Sequence, residues 1–405
     1  MGASHESKRG CARDPGLEAA EHAGRPSLDL AATRSARLPP PTIGIYFRRR
    51  STAYRYRADC VTSAVVIDVG SQERRRLWWR AISADPNSMV TQAPEWMDAL
   101  TSLGKWEDAT RFYEMPGGRL AVLPMARRRH TGIEASPPHA WGFGGLVAEG
   151  GVTDDDVRGV LADLDVGLRV RTSIRPNPLL SAVWERGASP QWTASSRLAH
   201  IIDLDKGSDA VWACFHKDVR KRVRRAERLG VEIECDTTGR LIPVLYELFE
   251  RSVIHWASLQ HEPVRFARLR ARRRDPIEKF QAMAAHLGSQ FKLWVARHEG
   301  RPVAASLILQ DRNAHTTRLV MDRSLAATSS ATSLLEWHAI RDACRADCGV
   351  YHMGESGPST PLAKSKERFG AIGHSYFEYR RERIPLSTVD GWARSVIKRV
   401  IGFKE

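Results

Sequence analysis

FHKDVRKRVRRAERLGVEIE, residues 215–234, is the stretch whose reading decides the fold. Seven of its first fourteen residues are Lys or Arg, and after Gly230 the pattern changes to alternating apolar and acidic residues. Trp212, Phe215, Val219, Val223 and Ala226 recur at the spacing of one buried helix stripe. The segment therefore reads as a helix over 208–229 followed by a strand over 231–235. Lys217, Arg220, Lys221, Arg224 and Arg228 fall on the adjoining sides. Arg220 and Arg224 stand four residues apart, where like charges cost roughly a few tenths of a kcal/mol. A bound phosphate would relieve that cost and accept bidentate contacts; a solvated helix face is the alternative. Nucleic-acid readers usually add exposed aromatics, whereas the aromatics here lie on the apolar stripe.

Working outward, the 405-residue chain is long enough for two domains. A hydrophobic share of 42% supports sizeable cores and excludes global disorder. The formal charge of +15 favours anionic partners and says nothing about fold. The six cysteines (Cys11, Cys60, Cys214, Cys235, Cys344 and Cys348) form no CxxC pair, so no metal site is expected, and unpaired thiols fit a reducing cytoplasm. No apolar run approaches the length of a membrane span, and the start of the chain lacks the apolar core of a signal peptide.

Residues 1–60 are Pro-, Arg- and Ser-rich with little periodicity, and are expected to be a mostly disordered extension. An upstream-extended reading frame and a basic arm are the other readings of that segment. From Val65 the pattern tightens. VVIDVG reads as a strand, 71–83 and 93–104 as helices, and RFYEMPGGRLAVLPM as a hairpin turning at Pro116-Gly117-Gly118. WGFGG at 141–145 reads as a Gly-rich loop, where the backbone approaches a ligand or a neighbouring strand closely. A helix over 152–165 and the strand of GLRVRTSIRPNPLL complete the first half. WTASS then reads as a linker and HIIDLD, at 200–205, as a strand.

Beyond the basic helix, 239–256 and 276–288 read as helices and the Arg-rich stretch 257–275 as a loop. FKLWVARHEGRPVAASLILQD is a hairpin and AHTTRLVMD a third strand. A run of small residues, LAATSSATS, follows as a loop before a helix over 331–346. Small side chains let backbone N–H groups reach an anion, and a helix start adds its dipole. Thr328, Ser329, Ser330 and Ala331 are accordingly the candidates for holding a pyrophosphate, with an ordinary helix cap as the alternative. Strand 349–353, helix 360–369 and strand SYFEYRRE end the folded part, and 387–405 reads as an amphipathic helix. Near the loop after 353, Glu355 and His352 are the groups able to take a proton from an attacking amine. Lys364 and Lys366 add charge for an anionic substrate. No Ser/His/Asp elbow, Walker loop or Rossmann fingerprint is present, which argues against hydrolases, NTPases and dehydrogenases.

These pieces together resemble the Gcn5-related N-acetyltransferase (GNAT) superfamily, more narrowly its FemAB-like branch, from about Val65 to Pro385. NSMVTQAPEWMDAL is similar to the branch's opening motif, and WGFGG with RVRTSIRPNPLL to its first-domain core. KDVRKRVRRAERLGVEIE is similar to its second-domain helix, and KSKERFG to its closing motif. The resemblance implies an α/β (α+β) chain of tandem GNAT-like domains with mixed, largely antiparallel sheets, at 61–198 and 199–386, the second binding the acyl donor. It implies an acyltransferase whose donor is acetyl-CoA or an aminoacyl-tRNA, without a metal. The acceptor would be an anionic amine, a cell-wall precursor among the candidates. The usual pyrophosphate loop is absent, with Ala326–Ala331 in its place, and the long coiled-coil arm of some bridge-forming members is missing. The first departure counts against a CoA donor without excluding it, and the second favours an acetyltransferase-like activity. An RNA-binding relative without activity and peripheral membrane contact through the basic tail are the other readings.

Overall fold

A computed structural model describes residues 64–357 and 359–384. The expected extension at 1–60 and the expected tail helix at 387–405 lie outside the described residues. The first half contributes β1 (Val65–Ile67), α1 (Ser71–Ala84), α2 (Pro94–Thr101), β2 (Trp106–Asp108), β3 (Arg111–Met115), β4 (Arg119–Leu123), β5 (Ala126–Arg128), β6 (Ile133–Ser136), β7 (Val147–Ala148), α3 (Asp154–Val166), β8 (Arg171–Ile174) and α4 (Ser181–Gly187). The second contributes β9 (Thr193–Asp203), α5 (Gly207–Cys214), α6 (Lys217–Arg228), β10 (Glu232–Asp236), α7 (Ile242–Leu259), α8 (Val264–Arg274), α9 (Ile277–Leu287), β11 (Phe291–His298), β12 (Arg301–Gln310), β13 (Ala314–Met321), α10 (Arg323–Ser329), α11 (Ala331–Arg345), β14 (Val350–Glu355), α12 (Thr360–Glu367) and β15 (Ile372–Glu382).

The strands form two sheets. A four-stranded one runs β1-β3-β4-β7, and an eleven-stranded one runs β10-β11-β12-β13-β14-β9-β15-β8-β6-β5-β2. The ladders are antiparallel except β13/β14 and β6/β8, as expected for a mixed, largely antiparallel α/β fold. The large sheet crosses the expected division at 198/199: that point lies inside β9, and the stretch WTASS read as a linker is the beginning of the same strand. β9 and β15 pair along nine residue positions and join the two halves.

Strand alternation sorts the core onto two faces. On β12, Ala305, Leu307 and Leu309 face a cluster that includes α7 and α9, while Ala304 and Ile308 face α5, α6 and α11. Val219, Val223 and Ala226 of α6 are buried in that second cluster, as the stripe predicts.

Three local expectations are corrected. The helix read over 208–229 is two helices, broken at Phe215-His216, where the His216 ring accepts from the Asp218 N–H and caps α6. Phe215 continues the apolar spacing through the break, so periodicity alone does not show it. The Arg-rich stretch read as a loop contains α8, which buries only Ala267 and Ala271, too small to give a strong stripe. The small-residue loop after β13 is mostly α10, started by the Asp322 carboxylate accepting from the N–H groups of Ser324 and Leu325.

Candidate active site

Strands β13 and β14 run parallel but pair at only two positions, Ala314↔Tyr351 and His315↔His352. Beyond these the ladder ends. β13 also carries a bulge: Leu307 faces Arg318 and Ile308 faces Thr316, so Thr317 is an extra residue without a partner in the β12 register. The crossover from β13 through α10 and α11 to β14 brings the start of α11 back to the carboxyl ends of both strands. The Thr332 hydroxyl, 3.7 Å from Met321 Sδ, marks that proximity. Outside the carboxyl ends of parallel strands is where open α/β sheets place their ligands.

Two of the sequence candidates, Glu355 and Lys366, stand at the end of β14, and two more, Ser330 and Ala331, begin α11 beside the end of β13. Glu355 ends β14 and is half-buried. Its carboxylate accepts a hydrogen bond from the Tyr376 hydroxyl. Lys366, on α12, is buried, and its ammonium donates to the carbonyls of Gly354 and Glu355, each at 2.9 Å. Burial pulls the Lys366 amine down to about 8 against the opposing pull of Glu336 and Glu355. The start of α11 supplies Ser330, in the left-handed conformation, and the buried Ala331.

Fit to a pyrophosphate at this helix start is selective. The hydroxyl of Thr328 donates to the carbonyls of Ser324 and Leu325, at 3.3 and 3.1 Å, and that of Ser329 to Leu325 at 2.6 Å. Both hydroxyls are therefore spent within α10, and Ser329 Oγ also accepts from the Ala331 N–H. An anion there would rest on the backbone of α11's first turn.

His352 stands apart from these. Its ring is fully enclosed, 5.7 Å from Phe143 and 6.2 Å from His315, with neither nitrogen hydrogen-bonded. Burial holds it well below the ordinary histidine range, so it is neutral and shut away from a substrate. Arg220 donates to the Ala213 carbonyl at 3.1 Å, while Arg224 and Lys364 are exposed and have no bonded partner among the described residues. α6 packs beside α11, and its first turn touches the end of α12 through His216 N–H to Arg368 O at 2.8 Å.

The WGFGG loop is built to seat one ring. Phe143 lies 5.1 Å from His315 and 5.8 Å from Tyr376. The stretch that includes the expected opening motif holds the loop: Thr91 donates to Phe143 O at 2.6 Å, Gln92 to Gly144 O at 3.0 Å and Trp96 to Trp141 O at 3.2 Å. A Cβ on Gly144 would stand 2.7 Å from the Ser136 carbonyl carbon, so the glycine serves a neighbouring strand.

Glu336 escaped the sequence reading. It sits on α11, 2% exposed, and accepts from Ser306 at 3.2 Å. Burial lifts its carboxyl to about 7. The available signal was its position on the same helix stripe as Ile340 and Ala343, where a charge is out of place. Tyr376 and the Thr317 bulge were also missed, because only the strand pairing reveals them.

The model of the acetyltransferase (GNAT) domain family matches residues 214–360, from the end of α5 into α12. FemX, as a crystal structure, is similar over 80% of this chain and 99% of its own, with a TM-score of 0.56 at 12% identity. A conserved protein of unknown function from Bacteroides thetaiotaomicron VPI-5482 is similar over 78% of this chain and 98% of its own, with a TM-score of 0.50 at 10% identity. A tandem GNAT protein from the clavulanic acid biosynthesis pathway covers 79% of this chain and 98% of its own, with a TM-score of 0.42 at 13% identity. No curated protein matches the sequence. Residues 214–360 thus match an acetyltransferase (GNAT) domain, the class of activity that match gives is acyl transfer, and the fold over most of the chain is shared with FemX. No helix among the described residues is long and apolar enough to cross a membrane.

Proposed function

We propose that the chain transfers an acyl group, acetyl from acetyl-CoA, to the amine of an anionic acceptor of the cell envelope. The observation that carries this reading is the opening between β13 and β14, where pairing stops after two positions beside a bulge and a buried ammonium. A neutral amine attacks the donor's carbonyl carbon, the C–N bond forms, and the C–S bond breaks to release the thiolate, which takes up a proton from solvent. The Lys366 ammonium, beside the bulge at Thr317, stabilises the oxygen that gains charge. Glu355 accepts the proton that the new ammonium sheds. The donor's pyrophosphate sits at the start of α11 around Ser330 and Ala331, whose N–H groups exchange their present partners, Ala326 O and Ser329 Oγ, for it, with Thr328 and Ser329 shaping the turn. Arg220 and Arg224, on α6 beside α11, meet the donor's outer phosphate, and Lys364, on α12, adds charge for the anionic substrate. The FemAB-like resemblance supports the cell-envelope acceptor, and the chain's charge of +15 supports an anionic one. The chemistry suits a cytoplasmic protein, where acetyl-CoA is made.

The exposed basic side of α6 favours a second donor, an aminoacyl-tRNA, for which the C–O ester bond breaks instead. Calorimetric titration of the purified chain separates the two. Acetyl-CoA is expected to bind, and Lys366→Met, which acts on turnover, is expected to leave that binding largely unchanged. Charged tRNA binding without acetyl-CoA binding transfers the assignment to the aminoacyl donor. If neither donor binds and neither is turned over, the acyltransferase reading fails.

A further inference from the structure

On the far side of Tyr376 the large sheet has a face covered by neither α3 nor α4. Along β15, Phe377 and Tyr379 turn toward the core under α4, where Tyr379 stacks on Trp184 at 5.7 Å. By alternation, Tyr376, Glu378 and Arg380 turn to the other side. There a cavity of about 400 Å³ is lined by Arg128, Arg171, Arg175, Arg197 and Arg380, with Glu378 as its one carboxylate.

The charges do not balance within the protein. Glu378, 7% exposed, accepts from Arg175 at 2.9 Å, Arg197 at 2.5 Å and Arg380 at 3.1 Å, so three guanidinium groups share one carboxylate. Arg128 has no ion-pair partner among the described residues. Arg175 is 9% exposed, yet its Nε is hidden from solvent with no acceptor, and the Nε of Arg197 is in the same state. A buried donor without an acceptor is costly, and so are like charges on adjacent strands. An oxyanion in the cavity offsets the like-charge cost and gives the outer guanidinium nitrogens further acceptors. Arg171 is paired with Glu382 at 3.9 Å, which leaves an excess of three positive groups; guanidinium forks match phosphate oxygens in pairs, and a phosphate ester brings roughly −1.5 to −2 charge near neutrality, which suits that excess better than one carboxylate does.

We propose that this cavity is a binding site for an organic phosphate. Trp106 and Pro138 line the same cavity and offer apolar surface to the organic part. Tyr376 links the site to Glu355, since its hydroxyl bonds that carboxylate while Glu378 follows two residues along the same strand face, about 7 Å away. If the acyltransferase reading holds, a molecule anchored there by its phosphate presents its other end to Glu355.

Calorimetry of the full chain with inorganic pyrophosphate as the probe tests the site, with acetyl-CoA titrated in parallel. Pyrophosphate is expected to bind, and Arg128→Ala, which removes an exposed side chain, and Arg197→Gln are each expected to weaken it at least tenfold. Arg273→Glu, on the exposed side of α8 and in neither site, is expected to leave it unchanged. Failure of the wild type to bind, or equal affinity in both cavity variants, overturns the site. Succinate binding as tightly as pyrophosphate overturns the phosphate assignment. Neither result touches acetyl-CoA binding, and loss of acetyl-CoA binding with pyrophosphate retained sinks the donor reading and leaves the cavity standing.

Discussion

Lys366 is held in the field of two carboxyl groups that have different tasks. Its ammonium is fixed by two carbonyls at the end of β14, so it is oriented before any substrate arrives. Lys366→Met keeps the volume and removes the charge. It is expected to lower kcat by about 100-fold, measured as thiol released from acetyl-CoA in the presence of an acceptor amine. Because burial brings the amine to about 8, wild-type turnover is expected to fall as pH rises through that value. An unchanged kcat in the methionine variant removes Lys366 from the chemistry. Glu336 makes a separate prediction about stability. Its carboxyl is raised from 4.5 to about 7 on folding, so the folded state holds a proton that the unfolded chain has already lost. The sign follows: stability falls as pH rises from about 4.5 to about 7, and the penalty is constant above. Over that window it amounts to roughly 3 kcal/mol. Glu336→Gln is expected to be neutral near pH 4 and stabilising near pH 8, which urea unfolding at the two pH values will measure. A stability difference that does not change between them would show that Glu336 is ionised in the fold.

At the scale of elements, α5 and α6 reach the site only through what they pack on. Phe215, at their junction, is buried and lies 5.4 Å from Trp337 on α11 and 5.2 Å from Phe369 after α12. Replacing it with alanine leaves a hole shared by three helices and is expected to cost about 3–5 kcal/mol, read from chemical denaturation. A loss under about 1 kcal/mol would mean that the junction is not what seats the basic helix. The same junction shows how far sequence carries. The helix stripe, the two hairpins and the β–α–β crossover were legible because their apolar periods are strong and their turns carry Gly or Pro. α8 and α10 were not, because small buried residues give no amphipathic signal and a single Asp cap starts α10. In the site, Glu355 and Lys366 could be read from a strand opening into a loop and a basic helix. The enclosure of His352 could not, since Phe143 reaches it from 209 residues earlier in the chain.

At the scale of the whole molecule, one ordering in the large sheet governs cooperativity. The strands β8, β6, β5 and β2 come from the first half, yet they are connected to β9 only through β15, the last strand described. β15 pairs with β9 on one side and with β8 on the other, and its Phe377 and Tyr379 pack into the core of α3 and α4. A chain cut before β15 therefore loses a central strand, leaves β8 and β9 with open edges, and uncovers apolar surface in the first half. Such cooperation across halves predicts a single unfolding transition for residues 64–384. It also predicts that the first half expressed alone, residues 64–192, has no cooperative transition in urea and poor amide dispersion by NMR. The physical reason is that non-local pairing must be in place before the edge strands have partners. Tyr379→Ala provides the complementary test in the intact chain. It is expected to lower the midpoint seen by Trp184 fluorescence in the first half and by Trp294 or Trp337 signals in the second by the same amount. Two separate midpoints, or an independently folding 64–192 fragment, would show that the halves are autonomous and that the shared sheet is a docking surface between them.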